Sequence, residues 1–264
     1  MSAPVLITSP HNPAVQGWRE LNRSRKARSE ARAFLAEGEH MAGEALKTGF
    51  ASALICSEEA VGRYAGLVRQ ADAAGLPVYL LSARALEAVS DTRTPQGVLC
   101  VCRQPDTDSL PDLPLAAALE NVQDPGNVGT VLRTLDAVGN AGVLLSRECA
   151  DVFAPKTLRA TMGAVFRVPV WIAEDFREAL ETLKSRDYRL MAGTLDGEPF
   201  YERPADAKKT CLLIGNEGQG LTAETAAMAQ LKVRLPMPGQ AESLNAAVAC
   251  AVMAYDVLRR RLGQ

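Results

Sequence analysis

Histidine is almost missing. The 264-residue chain has two, His11 and His40, and neither lies near the glycine-rich stretches of its second half. That scarcity speaks against a Ser-His-Asp triad and against a zinc site, so no metal is expected. The six cysteines (Cys56, Cys100, Cys102, Cys149, Cys211, Cys250) form no C-x-x-C pair and mostly sit in apolar runs. They read as buried, reduced thiols, which points to the cytoplasm. No apolar run approaches the roughly 20 residues that a membrane-spanning helix needs. The opening MSAPVLITSPHNP also lacks a basic-then-apolar signal, so no membrane partner is expected. Charge of one sign is missing too: 29 Lys plus Arg against 31 Asp plus Glu leave −2, which names no nucleic-acid partner.

Against that even balance one segment is basic. Residues 18–32, WRELNRSRKARSEAR, hold Arg19, Arg23, Arg25, Lys26, Arg28 and Arg32 against Glu20 and Glu30. Such a stripe can contact phosphates even on a slightly acidic molecule, with Trp18 beside it. A solvated helix face is the plain alternative.

The composition changes at 103–114, RQPDTDSLPDLP, where three prolines and three aspartates interrupt regular segments. This divides the chain into domains 1–104 and 114–264 with a linker at 105–113. Before it, a helix over 19–32, strands at 34–38, 51–57, 77–82 and 97–102, and helices between them predict a small α/β sandwich. After it, apolar strands at 114–122, 142–146, 166–172, 189–195, 211–215 and 233–237 alternate with helices at 128–139, 155–162, 176–186, 223–230 and 243–261. In the last helix Leu244, Val248, Ala251, Val252, Tyr255 and Leu258 fall at spacings that predict one buried stripe. Continuous apolar strands between helices imply a parallel sheet covered on both faces, with ligands beyond the strands' carboxyl ends.

Three loops there carry candidate chemistry. In ENVQDPGNVGTVLRT (120–134), Asp124-Pro125-Gly126-Asn127 is a turn opening a helix that offers free N–H groups. Asn127 reads as its N-cap, and Arg133 follows nearly two turns later, on roughly the same face. The bland account is a surface pair. In IGNEGQGL (214–221), three glycines surround Glu217 and allow close backbone approach to a flat ligand. The order G-x-x-G-x-G is not the dinucleotide fingerprint, which speaks against a nucleotide-dependent oxidoreductase. In LPMPGQAESLNAAVA (235–249), Ser243 reads as the N-cap of the last helix and Asn245 as a first-turn residue.

Taken together, N-x-x-D-P-G-N-x-G-x-x-x-R-T, L-L-I-G-N-E-G-x-G-L and L-P-M-x-G-x-x-x-S-L-N-A-A-V-A closely resemble the three signature motifs of the SpoU (TrmH-type) family of the SPOUT methyltransferase superfamily. The resemblance covers roughly 113–264. FLAEGEHMAGEAL (34–46) and TPQGVLCV (94–101) resemble, less closely, the family's auxiliary RNA-binding domain. It implies a C-terminal α/β domain whose parallel sheet is threaded into a trefoil knot, and a small N-terminal α/β RNA-binding domain. It also implies transfer of a methyl group from S-adenosylmethionine to a ribose 2′-hydroxyl of rRNA or tRNA, rRNA being favoured, by a homodimer joined through the C-terminal domain. A catalytically silent RNA-binding protein of the same fold is the alternative. On the family pattern Thr194, Gly215, Asn216, Gly220, Leu235, Met237 and Leu244 line or flank the cofactor pocket. Arg133 stands at the reacting centre with Asn127, Glu217, Ser243 and Asn245 as neighbours, and the basic segment 19–32 binds the RNA.

Overall fold

The computed structural model describes residues 4–263. They divide into two compact units, one holding the chain up to Pro105 together with Asp151–Arg167, the other Asp106–Ala150 together with the chain from Val168 onward. The first unit runs β1 (Val5–Ile7), α1 (Pro13–Arg23), α2 (Arg25–Ala31), β2 (Ala33–Glu37), α3 (Glu39–Thr48), β3 (Ala51–Ser57), α4 (Ala65–Ala73), β4 (Val78–Leu81), α5 (Ala83–Val89) and β5 (Val98–Arg103). Its sheet has the order β1-β4-β3-β5-β2, with β5 antiparallel to both β2 and β3 and the remaining pairs parallel.

The basic segment is two helices rather than one. Ser24 leaves helical conformation at φ −122° and ψ 118°, ends α1 through its N–H to Glu20, and caps α2 by accepting from Ala27 N at 3.2 Å. A short hydroxyl side chain makes that break cheap. The turn sends Trp18 into the core, where it packs edge-on to Tyr79 at 5.0 Å, so it is no exposed ring beside the stripe.

The chain continues with β6 (Leu115–Leu119), α6 (Pro125–Val138) and β7 (Ala141–Ser146) in the second unit. It returns to the first unit for α7 (Pro155–Thr161) and a 3-10 turn at Ala164–Phe166. The second unit is completed by β8 (Val170–Ala173), α8 (Phe176–Ser185), β9 (Tyr188–Pro199), β10 (Lys209–Ile214), α9 (Ala223–Met228), β11 (Leu231–Arg234) and α10 (Ala246–Arg261). Aromatic packing holds the excursion: Phe153 and Phe166 stack on the buried Phe34 of β2 at 5.0 and 5.9 Å. A linear division that assigns 151–167 to the C-terminal half has no local pattern from which to see this. The proline-rich stretch read as a linker is itself tied down within the second unit. Leu110 is buried, the Tyr188 hydroxyl bridges the N–H and C=O of Leu113, and Asp112 pairs with Lys209 at 2.6 Å.

The second sheet is wholly parallel, in the order β11-β9-β10-β6-β7-β8. Connections run outward from β6 to β8 and then cross to the other side, so the β6/β10 pair marks a topological switch point, where such sheets bind ligands. The helix α10 packs on α6 and β10 with Ala246, Ala247, Cys250, Met253, Ala254 and Val257 inward, while Val248 and Tyr255 are 47% and 50% exposed. The stripe expected in the core is therefore the outward one. Small residues allow the close helix approach, and the larger apolar side chains mark the opposite face.

All six cysteines are buried and free. Burial pushes the Cys56 thiol up to about 11 and that of Cys250 to about 12, so neither holds appreciable thiolate near neutrality. Maleimide at pH 7 is expected to label none of the six in the native protein and all six after denaturation. Fast native labelling, followed by mass spectrometry, would contradict this.

Candidate active site

The loops after β6, β10 and β11 supply the expected polar residues. Asp124, not Asn127, caps α6: its carboxylate accepts Asn127 N at 2.9 Å, and Pro125 occupies the first turn, where a missing N–H costs nothing. Asn127 therefore stands one turn inside with its side chain available. Its Nδ2 donates to Glu217 Oε1 at 2.8 Å, and its Oδ1 accepts Asn245 Nδ2 at 2.9 Å. Asn245, not Ser243, caps α10, its Oδ1 accepting from Ala247 N at 2.9 Å and Val248 N at 3.2 Å. These two backbone donors fix the direction of the whole chain. The Asn245 nitrogen must face Asn127, whose oxygen accepts it and whose nitrogen is left for the carboxylate. Three distant segments are thus joined as Glu217–Asn127–Asn245.

Partial burial pushes the Glu217 carboxyl up, but the Asn127 amide and the N–H groups of Glu217, Asp124 and Gln123 outweigh it and hold it below the ordinary value. Glu217 is therefore an anion at neutral pH, able to accept and not to donate. Ser243 lies in the exposed loop before α10. Arg133 is exposed on α6 and makes no hydrogen bond or ion pair among the described residues. At about 100° per residue it sits roughly a third of a turn around the axis from Asn127, rather than on the same face.

The cofactor candidates divide into two kinds. The Asn216 side chain is spent bracing its own loop: Nδ2 donates to Asn121 O at 2.8 Å, and Oδ1 accepts Gly218 N at 2.9 Å and Gln219 N at 3.1 Å. Gly215 admits no side chain, since a Cβ there would lie 2.1 Å from the carbonyl carbon of Gly220. Gly220 itself has φ +71°. Thr194, on β9, has a buried hydroxyl without a partner among the described residues, a group that a ligand hydrogen bond would satisfy. Leu235 and Met237 are half-buried, and Leu244 is 40% exposed. An unmatched hydroxyl, bare glycine backbone and apolar side chains fit an adenosine-bearing cofactor held without charge.

The candidate RNA-binding residues lie in the first unit. Arg23, Arg25, Lys26 and Arg32 are exposed, Lys26 facing Glu30 at 3.7 Å; Arg19 is half-buried with an unpartnered Nε. Arg28 does not belong with them. It is 4% exposed, donates from Nε and Nη2 to Asp151 Oδ2 at 3.0 and 2.6 Å, and from Nη1 to the carbonyls of Leu21 and Asn22. Its spacing in the stripe gave no sign of this, because its partner lies far along the chain.

A model described as the SpoU rRNA methylase family matches residues 114–255, and one described as the MRM3-like substrate binding domain matches 12–100. The chain belongs to the SpoU rRNA methylase family. It is 36% identical over 253 residues to the 23S rRNA (guanosine(2553)-2′-O)-methyltransferase of Bacillus subtilis, covering 95% of this chain and 98% of the relative. To the 23S rRNA (uridine(2479)-2′-O)-methyltransferase of Streptomyces viridochromogenes it is 28% identical over 272 residues, covering 97% and 92%. The AdoMet-bound rRNA methyltransferase from Sinorhizobium meliloti superposes with a TM-score of 0.85 at 32% identity, covering 97% of this chain and 98% of that one. The SpoU motifs are the same segments that meet at the Asn127 network. Two residues beside them were not among the expected site residues: Asp124, placed in the turn but not as the helix cap although D-P at a helix start was the available signal, and Glu120, which had none. Among the described residues no His/Cys/Asp/Glu group suited to a metal and no helix long and apolar enough to cross a membrane is found.

Proposed function

We propose that ribosomal RNA is the substrate and that Arg133 acts at the reacting ribose, framed by Asn127, Glu217, Ser243 and Asn245. The chain is an S-adenosylmethionine-dependent RNA ribose 2′-O-methyltransferase, and the catalytic reading stands over the silent RNA-binding one. The observation that carries the assignment of the site is the hydrogen-bonded chain Glu217–Asn127–Asn245, which gathers all three motif loops beside the switch point.

When bound, S-adenosylmethionine supplies an electrophilic methyl group on a sulfonium. The Thr194 hydroxyl, the backbone of Gly215 and Gly220, and the side chains of Leu235, Met237 and Leu244 would hold it; Asn216 contributes by shaping the loop. A ribose hydroxyl is a weak nucleophile, so the protein must align it and stabilise the charge it develops. A guanidinium as a class keeps its proton up to about pH 12, so an arginine makes a poor base and a good fork for a phosphate and the nascent alkoxide. Arg133 takes that part. The anionic Glu217 keeps the Asn127 amide oriented, and Ser243 offers a hydroxyl from the loop ahead of α10.

The remaining features of the reading follow the family. The outward Val248 and Tyr255 of α10, with Leu244, offer an apolar face for a second copy of the chain. The central position of the late strand β10 beside β6 suits the trefoil threading. Buried, unpaired thiols suit the cytoplasm.

Methyl transfer from labelled S-adenosylmethionine to total RNA lacking this modification, followed by nucleoside analysis, tests the reaction. A labelled 2′-O-methylnucleoside in the ribosomal fraction is expected. Label on a base, or only in transfer RNA, would refute the reaction or the substrate respectively. Replacing Arg23, Arg25, Lys26 and Arg32 together by alanine should weaken RNA binding and flatten its salt dependence, the slope falling by about 0.7–0.9 for each phosphate no longer neutralised. Cofactor binding should persist. Unchanged RNA affinity across a salt series would leave the stripe as a solvated face.

A further inference from the structure

Glu120 follows β6 directly and is 7% exposed, yet none of the described cations is paired with it. All of its side-chain hydrogen bonds run to one short stretch. Oε2 accepts Thr222 N at 2.8 Å, and Oε1 accepts the hydroxyls of Thr222 at 2.9 Å and Thr225 at 2.5 Å. Its neighbour Asn121 accepts Asn216 Nδ2 on its carbonyl at 2.8 Å and is itself fixed by Ser146 Oγ, at 3.0 Å from both its N–H and its Oδ1. The loop 215–222 is therefore hung from two adjacent residues, Asn216 at its entry and Thr222 at its exit. Between them Asn216 and Gly220 exchange both backbone hydrogen bonds, at 3.0 and 2.9 Å. The same loop carries Glu217, which meets Asn127, and Gly215, where an added Cβ would run into the backbone of Gly220 and Leu221.

A buried carboxylate is costly unless its hydrogen bonds compensate. Capping the six-residue α9 does not require one: Thr222 Oγ1 already accepts Thr225 N at 3.2 Å. What the acid adds is a grip on the loop's exit. We propose that Glu120 is a positioning residue for methyl transfer, holding the glycine loop so that its backbone faces the cofactor and Glu217 reaches Asn127. This rests on the methyltransferase reading above.

The test compares wild type, Glu120→Ala, Glu120→Gln, Thr225→Val and Leu81→Ala. S-adenosylmethionine binding is read by calorimetry, kcat and KM by methyl transfer, and stability by thermal melts. Losing hydrogen bonds to a charged group should raise Kd and KM for the cofactor ~10-fold or more in Glu120→Ala, with a smaller change in kcat. Glutamine should recover most of the affinity, because its oxygen accepts Thr222 N while the two hydroxyls turn to accept from its amide. Thr225→Val, which removes one donor from a site that otherwise keeps its shape, should raise KM about threefold; it carries the test alone if the alanine variant does not fold. Leu81 is fully buried in the core of the first unit, in a cluster that includes no residue of the loop. Its truncation should lower the melting temperature and leave cofactor Kd unchanged. Wild-type affinity in Glu120→Ala or Thr225→Val, or an equal loss in Leu81→Ala, overturns the proposal. A wild-type protein that bound no S-adenosylmethionine would instead overturn the methyltransferase reading, and the inference with it.

Discussion

Arg133→Ala is expected to lower kcat by ~10²–10⁴-fold, the range for losing a transition-state charge partner or proton-transfer group. Thermal stability and S-adenosylmethionine affinity should stay at wild-type values. The separation follows from the structure. Arg133 is exposed and has no partner among the described residues, so its truncation leaves no buried group unsatisfied and opens no cavity. Surface changes of that kind stay within about 0.5 kcal/mol. A large kinetic effect with an unaltered fold would thus report an interaction made only when RNA is present. Lysine at the same position retains the charge and loses the planar fork. Near-normal turnover in Arg133→Lys, measured under single-turnover conditions, would remove the bidentate role, and an unaffected Arg133→Ala would remove Arg133 from the reacting centre altogether.

The division between Arg133 and its neighbours also shows what the sequence could and could not carry. The three motif loops were legible because their glycines, prolines and polar residues break an otherwise regular alternation of strand and helix. The parallel sheet was legible from its uninterrupted apolar strands. The caps were not. Asp124 and Asn127 are both good capping residues, and so are Ser243 and Asn245, so local preference alone could not choose between them. In each case the choice decides which side chain is spent on its own helix: Asp124 caps, so Asn127 reaches Glu217, and Asn245 does both tasks with its two ends. Long-range pairing was invisible for the same reason. Arg28 looks like its neighbours until Asp151 is brought to it, and Phe34 gives no hint of Phe153 and Phe166. In α10 the period was read correctly and the face was not, because spacing records which residues align and not which side is covered.

Arg203→Ala should cost about 3–5 kcal/mol, the loss typical of breaking a buried ion pair from one side. The Arg203 side chain is fully buried. It meets Asp206 through Nε and Nη2 at 3.0 Å each, Asp256 Oδ2 at 2.7 Å and the Phe200 carbonyl at 2.9 Å, and its guanidinium lies 3.9 Å from the Phe200 ring centre. Truncation leaves Asp206 as a buried carboxylate whose remaining described cation, Arg261, is not in ion-pair contact with it, while Asp256 keeps Arg259 at 2.8 Å and Arg260 at 3.4 Å. Through Asp256 the cluster ties α10, which carries Asn245 at its head, to the segment between β9 and β10, so the loss should appear as a lower urea midpoint and, near the midpoint, as loss of activity. Acid adds a second signature. Burial pushes the Asp256 carboxyl up, but hydrogen bonds and charge from Arg203 and Arg259 outweigh it and leave it below its ordinary value. A group whose pKa is lower folded than unfolded stabilises the fold above its unfolded value, near 4 for aspartate, and loses that contribution as pH falls through the folded value. Wild-type midpoints should therefore drop as pH is lowered below about 4, and Arg203→Ala, with its Asp256 less strongly held, should show a shallower acid-dependent decline from a lower starting point. Parallel pH profiles offset by a constant amount would mean that the Arg203–Asp256 contact contributes through packing alone.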